Sequence, residues 1–379
     1  MKNTFYNRVS GGIHRRMMSL VIIYLILLPF GVLADEVPPV IMGELLPDTD
    51  GNHINAHGGN ILVTDSLYYW YGEFRGDGTP GSFQQGVACY SSTNLRYWKY
   101  RGIVLKVTDD DSSPVQKGCI IERPKVVYCP ATGRYVLWFH NELKGRGYGA
   151  AYAGVATSAS PLGPFELKYS GRVNAGIAPL NMSADDLAAT YPENLEWWTP
   201  EWYDAVRRGM FVKRDIAGGQ MSRDMTVYID PESGKGYHIY SSEDNLTLHI
   251  AELDSTYERH NGRYIRIFPG GHNEAPAIFR HGGKYWMITS GCTGWQPNEA
   301  RLMSADSIMG EWKQHPSPCR GDGAETTFGG QGTFVLQLND GCIFMADIWN
   351  PDNLADSRHI WLPISFDEND MPYIESYKK

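Results

Sequence analysis

The stretch "GGNILVTDSLYYWYGE", residues 58–73, contains two short runs of alternating side chains separated by a turn at Asp65 and Ser66. Alternation bounded by turn residues is typical of a β-hairpin. Four further stretches repeat the pattern: "PKVVYCPATGRYVLWFH" (124–140), "MTVYIDPESGKGYHIYSSE" (225–243), "PAIFRHGGKYWMITSG" (276–291) and "GTFVLQLNDGCIFMADIW" (332–349). Five hairpins of one kind indicate a single unit repeated around a common core.

Most of these hairpins are followed by a further strand and a turn of small residues, which gives units of about four strands. Five such units predict an all-β protein, a five-bladed β-propeller. A repeated β-sandwich would not explain five similar units. An extra segment of helical composition, about residues 171–219, predicts a partly helical insertion between the second and third blades. Its Trp197, Trp198 and Trp202 either wall a substrate cleft or attach the insertion to the propeller.

The first 34 residues have the features of a secretory signal peptide. Arg15 and Arg16 precede the apolar run "MMSLVIIYLILLPFGV", and Val32 and Ala34 supply the small residues at the −3 and −1 positions of a cleavage site before Asp35. We therefore expect cleavage near Ala34, a propeller domain of residues 35–379, and a periplasmic or secreted location. An uncleaved N-terminal anchor is the alternative.

The composition makes some partners poor candidates. A net charge of −9 without a basic run argues against nucleic acid and anionic membranes. The 11 Trp and 23 Tyr fit stacking on neutral sugar rings, although aromatic residues are also common in β-rich cores. The six cysteines form no CxxC pair, so a zinc ribbon is not expected and their pairing stays open.

In a propeller, the innermost strand of each blade begins near the central channel, so the first polar side chain of each should face a common pocket. In the five units this position holds His57, Glu122, Asp224, Glu274 and Gln331. A carboxylate at the start of an apolar strand is costly unless it is paired or functional, although polar side chains also line wet channels. Glycoside hydrolysis uses such carboxyl groups, one to protonate the leaving oxygen and one to activate water. Glu274, flanked by an apolar strand, suits the acid, and Asp224 suits a group that stays ionised.

The five units, "SRDMTVYID" (222–230) and "NEAPAIFRHGGKYWMITSGCTGW" (273–295) resemble glycoside hydrolase family 43. "DTDGNHINAHGG" (48–59), "ERPKVVY" (122–128) and "WNPDNLADSRHIWLPI" (349–364) are similar to its exo-β-1,3-galactanase (galactan 1,3-β-galactosidase) branch. The resemblance covers essentially the whole chain after the signal peptide. It implies a five-bladed propeller and an inverting mechanism with Glu274 as the general acid and Asp224 as its modulator.

The resemblance leaves the base in question, because His57 stands where the family has an aspartate. In the galactanase branch it implies that a fifth-blade glutamine, here Gln331, acts instead as its imidic acid tautomer; Glu122 is the alternative base. It also implies that galactose contacts Glu73, Glu122, Arg123, Tyr148, Asn245 and Thr293, with Trp295 or Trp349 as stacking platforms. Structural ion pairs are the alternative for Arg123, Arg358 and Asp347.

We therefore expect a secreted inverting exo-glycosidase that removes galactose from β-1,3-galactan or plant-type arabinogalactan oligosaccharides. The alternatives are an α-L-arabinofuranosidase or β-xylosidase of the same family, and an inactive glycan-binding propeller, against which Glu274 and Asp224 argue. No cofactor and no stable protein partner are implied. His57 faces either a channel water or, as in some family members, a structural Ca²⁺, for which no aspartate cluster is present.

Overall fold

The computed structural model describes residues 38–76, 84–192 and 194–377. The predicted signal peptide therefore lies outside the described residues. Strands dominate the described part of the chain and form five sheets, four of which contain four strands and one six. None of the helices in these ranges combines the length and the apolar character needed to cross a bilayer.

Each sheet is one blade; four blades consist of consecutive strands, and the fifth also includes a short strand from the start of the described chain. This strand, β1 (Ile41–Met42), precedes the first blade. The first blade contains β2 (His57–Val63), β3 (Tyr68–Phe74), β4 (Gly86–Ser92) and β5 (Lys99–Lys106). The second contains β6 (Ile120–Cys129), β7 (Arg134–Glu142), β8 (Tyr152–Ser158) and β9 (Glu166–Gly171). Three helices follow: α1 (Ala184–Ala188), α2 (Pro200–Arg207) and α3 (Met210–Asp215).

The remaining three blades follow the helices. The third contains β10 (Met225–Ile229), β11 (Gly236–Ser242), β12 (Thr247–Leu253) and β13 (His260–Ile267). The fourth contains β14 (Asn273–His281), β15 (Lys284–Gly291), β16 (Arg301–Ala305) and β17 (Lys313–His315). The fifth contains β18 (Cys319–Arg320), β19 (Gln331–Leu338), β20 (Gly341–Ile348), β21 (Arg358–Phe366) and β22 (Pro372–Glu375), with 3₁₀ turns at Ala324–Gly329 and Leu354–Asp356.

The blades form a closed ring. The innermost strands β2, β6, β10, β14 and β19 each contact the next, and β19 returns to β2. The ends of the described chain meet in the fifth blade, where β1 pairs antiparallel with β21 through Ile41 opposite Trp361. On the same outer side of β21, the β22 strand pairs antiparallel and β18 adds to it by parallel pairing. The prediction of a five-bladed β-propeller is therefore confirmed.

Apolar side chains fill each space between neighbouring blades, and this explains why both faces of the strands are hydrophobic. Trp70, Trp98 and Trp361 meet between the first and fifth blades. Trp138 and Tyr240 belong to the cluster between the second and third blades. Two flat faces must be covered on every blade, so the sequence places large aromatic side chains on both. All six cysteines carry free thiols.

The predicted insertion lies between β9 and β10 and contains the three helices. Thr199 caps α2 by accepting a hydrogen bond from the backbone N–H of Trp202, which satisfies one of the unpaired donors at a helix start. Trp202 is 1% exposed and packs with Phe211 and with Leu246 of the third blade. Trp202 therefore attaches the insertion to the propeller. A role in the wall of a cleft remains open only for Trp197 and Trp198, which are exposed.

Candidate active site

A cavity of about 400 Å³ opens where the innermost strands begin, and residues of all five blades line it. Its lining consists of Glu73, Arg75, Glu122, Arg123, His140, Tyr148, Arg223, Asp224, Asn245, Glu274, Cys292, Gly294, Trp295, Gln331 and Trp349. Every predicted site residue is in this set except Thr293 and His57. Counting strands from the sequence therefore predicted that Glu122 and Gln331, 209 positions apart, face one pocket, and both line this cavity.

The same backbone irregularity aims the side chains in three blades. The residues that directly follow His57, Glu122 and Glu274 have left-handed backbone angles: Gly58 (φ 64°), Arg123 (φ 53°) and Ala275 (φ 52°). In each case the pairing register with the next strand shifts immediately afterwards. Such bulges bend a strand and redirect a side chain, and they are common beside active sites. The left-handed angles of Arg123 and Ala275 are unfavourable for residues other than glycine, and such strain is also common at functional sites.

Glu274 has the surroundings of a general acid. Burial and the negative charge of Asp224 raise the pKa of Glu274 to about 7, and the nearby guanidinium of Arg123 opposes this rise only in part. Asn245 donates a hydrogen bond of 2.8 Å to its Oε1 atom. A carboxyl group with a pKa near neutrality is protonated often enough to give up its proton at working pH. Glu274 can therefore protonate a leaving oxygen.

Arg123 joins the third blade to the fifth at the bottom of the cavity. Its Nη2 atom lies 2.8 Å from Asp224 Oδ2 and donates a 2.5 Å hydrogen bond to Gln331 Oε1. The indole N–H of Trp349 donates to the same Oε1 at 3.0 Å, and Gln331 Nε2 donates to Ser290 Oγ at 2.9 Å. Guanidinium and indole can only donate, so these contacts fix the orientation of the Gln331 amide.

Glu122 is held by three donors that the sequence did not connect. Tyr148 donates to Oε1 at 2.8 Å, Arg75 Nη2 lies 3.1 Å from the same oxygen, and His140 Nδ1 lies 3.1 Å from Oε2. Burial disfavours the charged carboxylate, but the hydrogen bond from His140 and the charge of Arg75 hold the pKa of Glu122 well below its usual range. Glu122 therefore remains ionised throughout the working range.

Two charged residues in this network are absent from the sequence prediction, namely Arg75 and His140. Arg75 connects Glu73 Oε2, at 2.6 Å from its Nε, to Glu122. Burial disfavours charge on His140, but hydrogen bonds to Glu122 and Glu142 raise its pKa to about 9. Burial raises the pKa of Glu73 to about 7, and Arg75 limits that rise. The sequence offered one signal for both residues: Arg75 directly follows an apolar strand and His140 lies inside one.

Two predicted residues lie outside the cavity lining. The Thr293 hydroxyl donates to the Gln296 carbonyl and accepts from Asn298, so it braces its own loop. His57 is fully buried, where its Nε2 faces the Ser357 carbonyl and its ring stacks on His359 at 4.6 Å. The register of the first blade was predicted correctly, but the ring of its histidine turns toward the fifth blade.

Arg123, Arg358 and Asp347, for which structural ion pairs were the alternative to a role in the site, all pair with side chains that can carry the opposite charge. Arg123 pairs with Asp224, as described above. Asp347 accepts from the Gly58 backbone N–H and lies 3.0 Å from His359 Nδ1. Arg358 pairs with Asp356 at 2.7 Å. Asp347 therefore braces the junction of the fifth and first blades, whereas Arg358 pairs within the fifth blade, and neither residue lines the cavity.

The residues present do not fit a structural Ca²⁺. Within the described ranges, two groups of three side chains bring ligand-type atoms within 4.8 Å of each other, His53–His57–His359 and Glu122–His140–Asp224. Calcium prefers oxygen ligands, whereas the first group offers three imidazoles, two of which already face the Ser357 carbonyl. In the second group, Arg75, Arg123 and His140 supply the positive charge. No catalytic step is therefore assigned to a metal.

Two indole rings form an aromatic side of the cavity. Trp295 and Trp349 meet edge to face with ring centroids 5.4 Å apart, and the Arg123 guanidinium lies 5.7 Å from the Trp349 ring. Trp295 is 38% exposed, so its face is open to a ligand. Aromatic faces beside several buried hydrogen-bonding groups suit a sugar ring, which has apolar C–H faces and polar edges.

Comparisons with known proteins agree with this arrangement. Residues 201–346 match the profile of the family described as Glycosyl hydrolases family 43. A solved GH43 β-1,3-galactosidase with galactodeoxynojirimycin is 56% identical with a TM-score of 0.87, and the match covers 90% of this chain and 99% of that one. Curated protein sequences yield no match.

Two more distant relatives are exo-β-1,3-galactanases. The one from Clostridium thermocellum is 32% identical with a TM-score of 0.71, covering 88% of this chain and 64% of that one. The one from Phanerochaete chrysosporium, solved with β-1,3-galactotriose, is 30% identical with a TM-score of 0.69, covering 88% and 66%. The chain thus spans about two thirds of these two proteins. The chain therefore belongs to glycoside hydrolase family 43 and is a glycoside hydrolase.

Proposed function

We propose that the enzyme is an inverting exo-β-1,3-galactosidase that removes galactose from the end of β-1,3-galactan chains. The observation that carries this proposal is the Glu274 carboxyl group, with a pKa of about 7, beside Asp224 in a cavity whose floor consists of buried charged side chains. A pocket closed by Glu73, Arg75 and Arg123 accepts a chain end. The printed names of the related structures, β-1,3-galactosidase and exo-β-1,3-galactanase, support the linkage.

Glu274 acts as the general acid in this proposal. Its proton passes to the glycosidic oxygen as the bond to the galactose C1 breaks, so the leaving sugar departs as a neutral alcohol. Asp224 stays beside it, and its negative charge keeps the proton on Glu274 until the substrate arrives. Arg123 anchors Asp224 and thereby fixes the distance between the two carboxyl groups.

For the residue that receives a proton from the attacking water, the hydrogen bonds favour Glu122 over Gln331. Both lone pairs of Gln331 Oε1 are occupied by Arg123 and Trp349. The imidic acid tautomer would place an O–H against these same two donors, which is unfavourable. Glu122 lines the cavity, and the contact of its Oε2 atom with His140 occupies only one of the two lone pairs of that oxygen. Gln331 then serves to hold Arg123 in place.

Glu122 is a weak base because its pKa lies well below the usual range. The oxocarbenium-like transition state of glycoside hydrolysis demands little of the nucleophile, so a weak base suffices when the acid and the positioning are intact. General base catalysis typically contributes about 10²–10⁴-fold, which bounds what the enzyme gains from this residue.

Galactose recognition rests on charged hydrogen-bonding groups. The carboxylates of Glu73 and Glu122 and the amide of Asn245 line the cavity and can accept from or donate to sugar hydroxyls. A substrate lacking the matching hydroxyl leaves a buried charged partner unpaired, which discriminates strongly between sugars. This requirement separates galactose from the arabinose or xylose of the alternative activities.

Release of monosaccharide followed by NMR tests this proposal. The unmutated enzyme is incubated with β-1,3-galactobiose, branched arabinogalactan, an arabinofuranoside and a xyloside. We expect galactose from the first two, with the α-anomer appearing first because inversion changes the configuration at C1. Galactose appearing first as the β-anomer would refute inversion. Release of only arabinose or xylose would favour an α-L-arabinofuranosidase or a β-xylosidase. No turnover of any substrate would favour an inactive glycan-binding propeller.

The cellular location is part of the same proposal. The Arg15–Arg16 pair, the apolar run and the small residues before Asp35 support export with cleavage near Ala34. N-terminal sequencing of the protein recovered from its native host tests this expectation. A chain that begins at Asp35 supports export with cleavage, and a chain that retains the apolar run supports the anchor.

A further inference from the structure

The insertion presents two exposed indole rings, those of Trp197 and Trp198. They are 52% and 59% exposed, and neither lines the cavity. Both rest on the buried Trp202, with ring centroids 5.2 Å and 4.9 Å away. Trp198 also has a left-handed backbone angle (φ 69°), which is unusual for a bulky residue and is associated with functional positions. We call Trp197 and Trp198 the aromatic shelf.

The segment that carries the shelf is fixed to the third blade. Arg266 of β13 donates to the carbonyls of Val206 and Arg207 at the end of α2, and its guanidinium pairs with the buried Glu243. A buried guanidinium that satisfies helix carbonyls and a carboxylate together is a strong attachment. The shelf therefore has a fixed place on the propeller, as a binding surface needs in order to limit the entropy lost on binding.

The shelf is continuous with the catalytic cavity on the Glu274 side. The Trp198 ring stacks on His272, with centroids 5.7 Å apart, and His272 precedes Glu274 by two residues. The His272 backbone N–H bonds to the Leu246 carbonyl, next to Asn245, which holds the Glu274 carboxyl group. The acid must touch the oxygen that joins the terminal galactose to the rest of the chain. The remaining chain consequently leaves the cavity on this side.

We propose that the aromatic shelf binds galactosyl units of the departing chain beyond the one that directly adjoins the cleaved bond. This inference rests on the proposed galactan-hydrolysing function. Galactopyranose rings have an apolar C–H face that packs on indole, and exposed indoles lose little conformational entropy on binding because they have two side-chain torsions. The enzyme would then favour long galactan over the disaccharide, which is too short to reach the shelf.

The test compares kcat/KM on a β-1,3-galactan hexasaccharide with kcat/KM on β-1,3-galactobiose. We expect Trp198→Ala and Trp197→Ala each to lower the ratio of the two values by at least about fivefold, since the shelf stacks only on the long substrate. Trp198→Tyr, which retains a ring, should recover most of the ratio. Tyr97→Ala is the matched control, because Tyr97 is 72% exposed on the first blade and should leave the ratio unchanged.

The outcomes separate this inference from the proposed function. An unmutated enzyme that hydrolyses neither substrate would refute the function itself. An unmutated enzyme that hydrolyses both, with an unchanged ratio in both alanine variants, would overturn the shelf alone. Thermal melting of each variant shows whether it is folded. If Trp198→Ala does not fold, Trp197→Ala still tests the shelf, because Trp197 has an ordinary backbone angle.

Discussion

The chemistry of this enzyme depends on how its charged side chains are paired. The cavity lining contains Glu73, Glu122, Asp224 and Glu274 together with Arg75, Arg123 and His140. The cations surround Glu122 and Asp224, whereas Glu274 has an amide partner and a carboxylate neighbour. The two environments move the pKa values of Glu122 and Glu274 in opposite directions, and this separation is what assigns different roles to chemically identical groups.

The pH dependence of the reaction follows from the raised pKa of Glu274. The acid must be protonated, so kcat/KM should fall as pH rises through about 7. Replacing Asp224 by Asn removes a negative charge that raises this pKa, so the decline should move to lower pH. Measuring kcat/KM on β-1,3-galactobiose against pH checks both statements. Asp306→Asn is the control, because the Asp306 side chain is exposed on the blade that carries Glu274 and should not move the decline. If the decline in Asp224→Asn stayed at the same pH or moved to higher pH, the role given to Asp224 would be contradicted.

The base assignment predicts different responses to azide. Azide needs no deprotonation, so it can replace water in a variant that lacks only the base. Glu122→Ala should therefore lose about 10²–10⁴-fold in kcat/KM and recover with azide. Gln331→Ala should lose activity through a displaced Arg123 and not recover. Quantifying α-galactosyl azide formation tests this, and recovery of Gln331→Ala alone would return the base role to Gln331.

At the residue level, the sequence predicted which side chains at the start of the inner strands line the cavity, but it missed cavity residues at other positions. Glu122, Glu274 and Gln331 followed from strand register, since a period of two fixes which face a residue takes. Arg75 and His140 were not found, because their role depends on a partner in another strand. Thr293 stays a prediction: its hydroxyl bonds within its own loop, and such local bonding leaves no mark in the sequence pattern.

At the level of elements, close backbone packing fixes the geometry of the first blade. A Cβ atom on Gly72 of β3 would lie 2.1 Å from the carbonyl carbon of Ala56, and one on Gly59 would lie 1.6 Å from the Tyr71 carbonyl oxygen. Backbone cannot withdraw as a flexible side chain can. Gly59 therefore lets β2 and β3 approach closely within the first hairpin, and Gly72 lets β3 approach the segment before β2.

A pair of glycine substitutions tests this packing. Gly72→Ala should lower the free energy of unfolding by about 3 kcal/mol, because the added methyl group forces the backbone apart. Gly218→Ala is the matched control: no atom lies within 4 Å of its added Cβ, so the change should stay within about 0.5 kcal/mol. Urea unfolding followed by circular dichroism measures both. Equal stability of the two variants would show that the first blade tolerates the displacement.

The elements themselves were largely predictable, because alternation and turn residues are local signals. The insertion and its helices at 171–219 followed from repeat spacing and composition. The bulges after Glu122 and Glu274 did not, since Arg123 and Ala275 are residues that rarely take left-handed backbone angles. Only the surrounding propeller holds them there.

At the level of the whole molecule, the propeller is closed by a strand of two residues. The β1 strand pairs with β21 of the last blade, so the two ends of the described chain share one sheet. Ile41 is 2% exposed and packs with Trp70 and Trp361 between the first and fifth blades. Closure of the ring removes an exposed edge and aligns all five blades around the cavity. A strand this short has no periodicity that the sequence could reveal.

Opening this closure should destabilise the entire ring. Ile41→Asp places an unpaired charge in an apolar junction, which should cost about 3–5 kcal/mol and lower Tm by several degrees. Leu45→Asp is the control, since Leu45 is 63% exposed and should leave Tm nearly unchanged. Differential scanning calorimetry measures both variants. An unchanged Tm in Ile41→Asp would mean that the ring does not depend on β1.

The central claim is that Glu274 supplies the proton to the departing sugar. The most direct measurement compares kcat/KM of the unmutated enzyme and Glu274→Gln on β-1,3-galactobiose and on 2,4-dinitrophenyl β-galactoside, whose leaving group needs no proton. We expect Glu274→Gln to lose about 10²–10⁴-fold on the disaccharide and far less on the activated substrate. Equal losses on both substrates would contradict the assignment of Glu274 as the general acid.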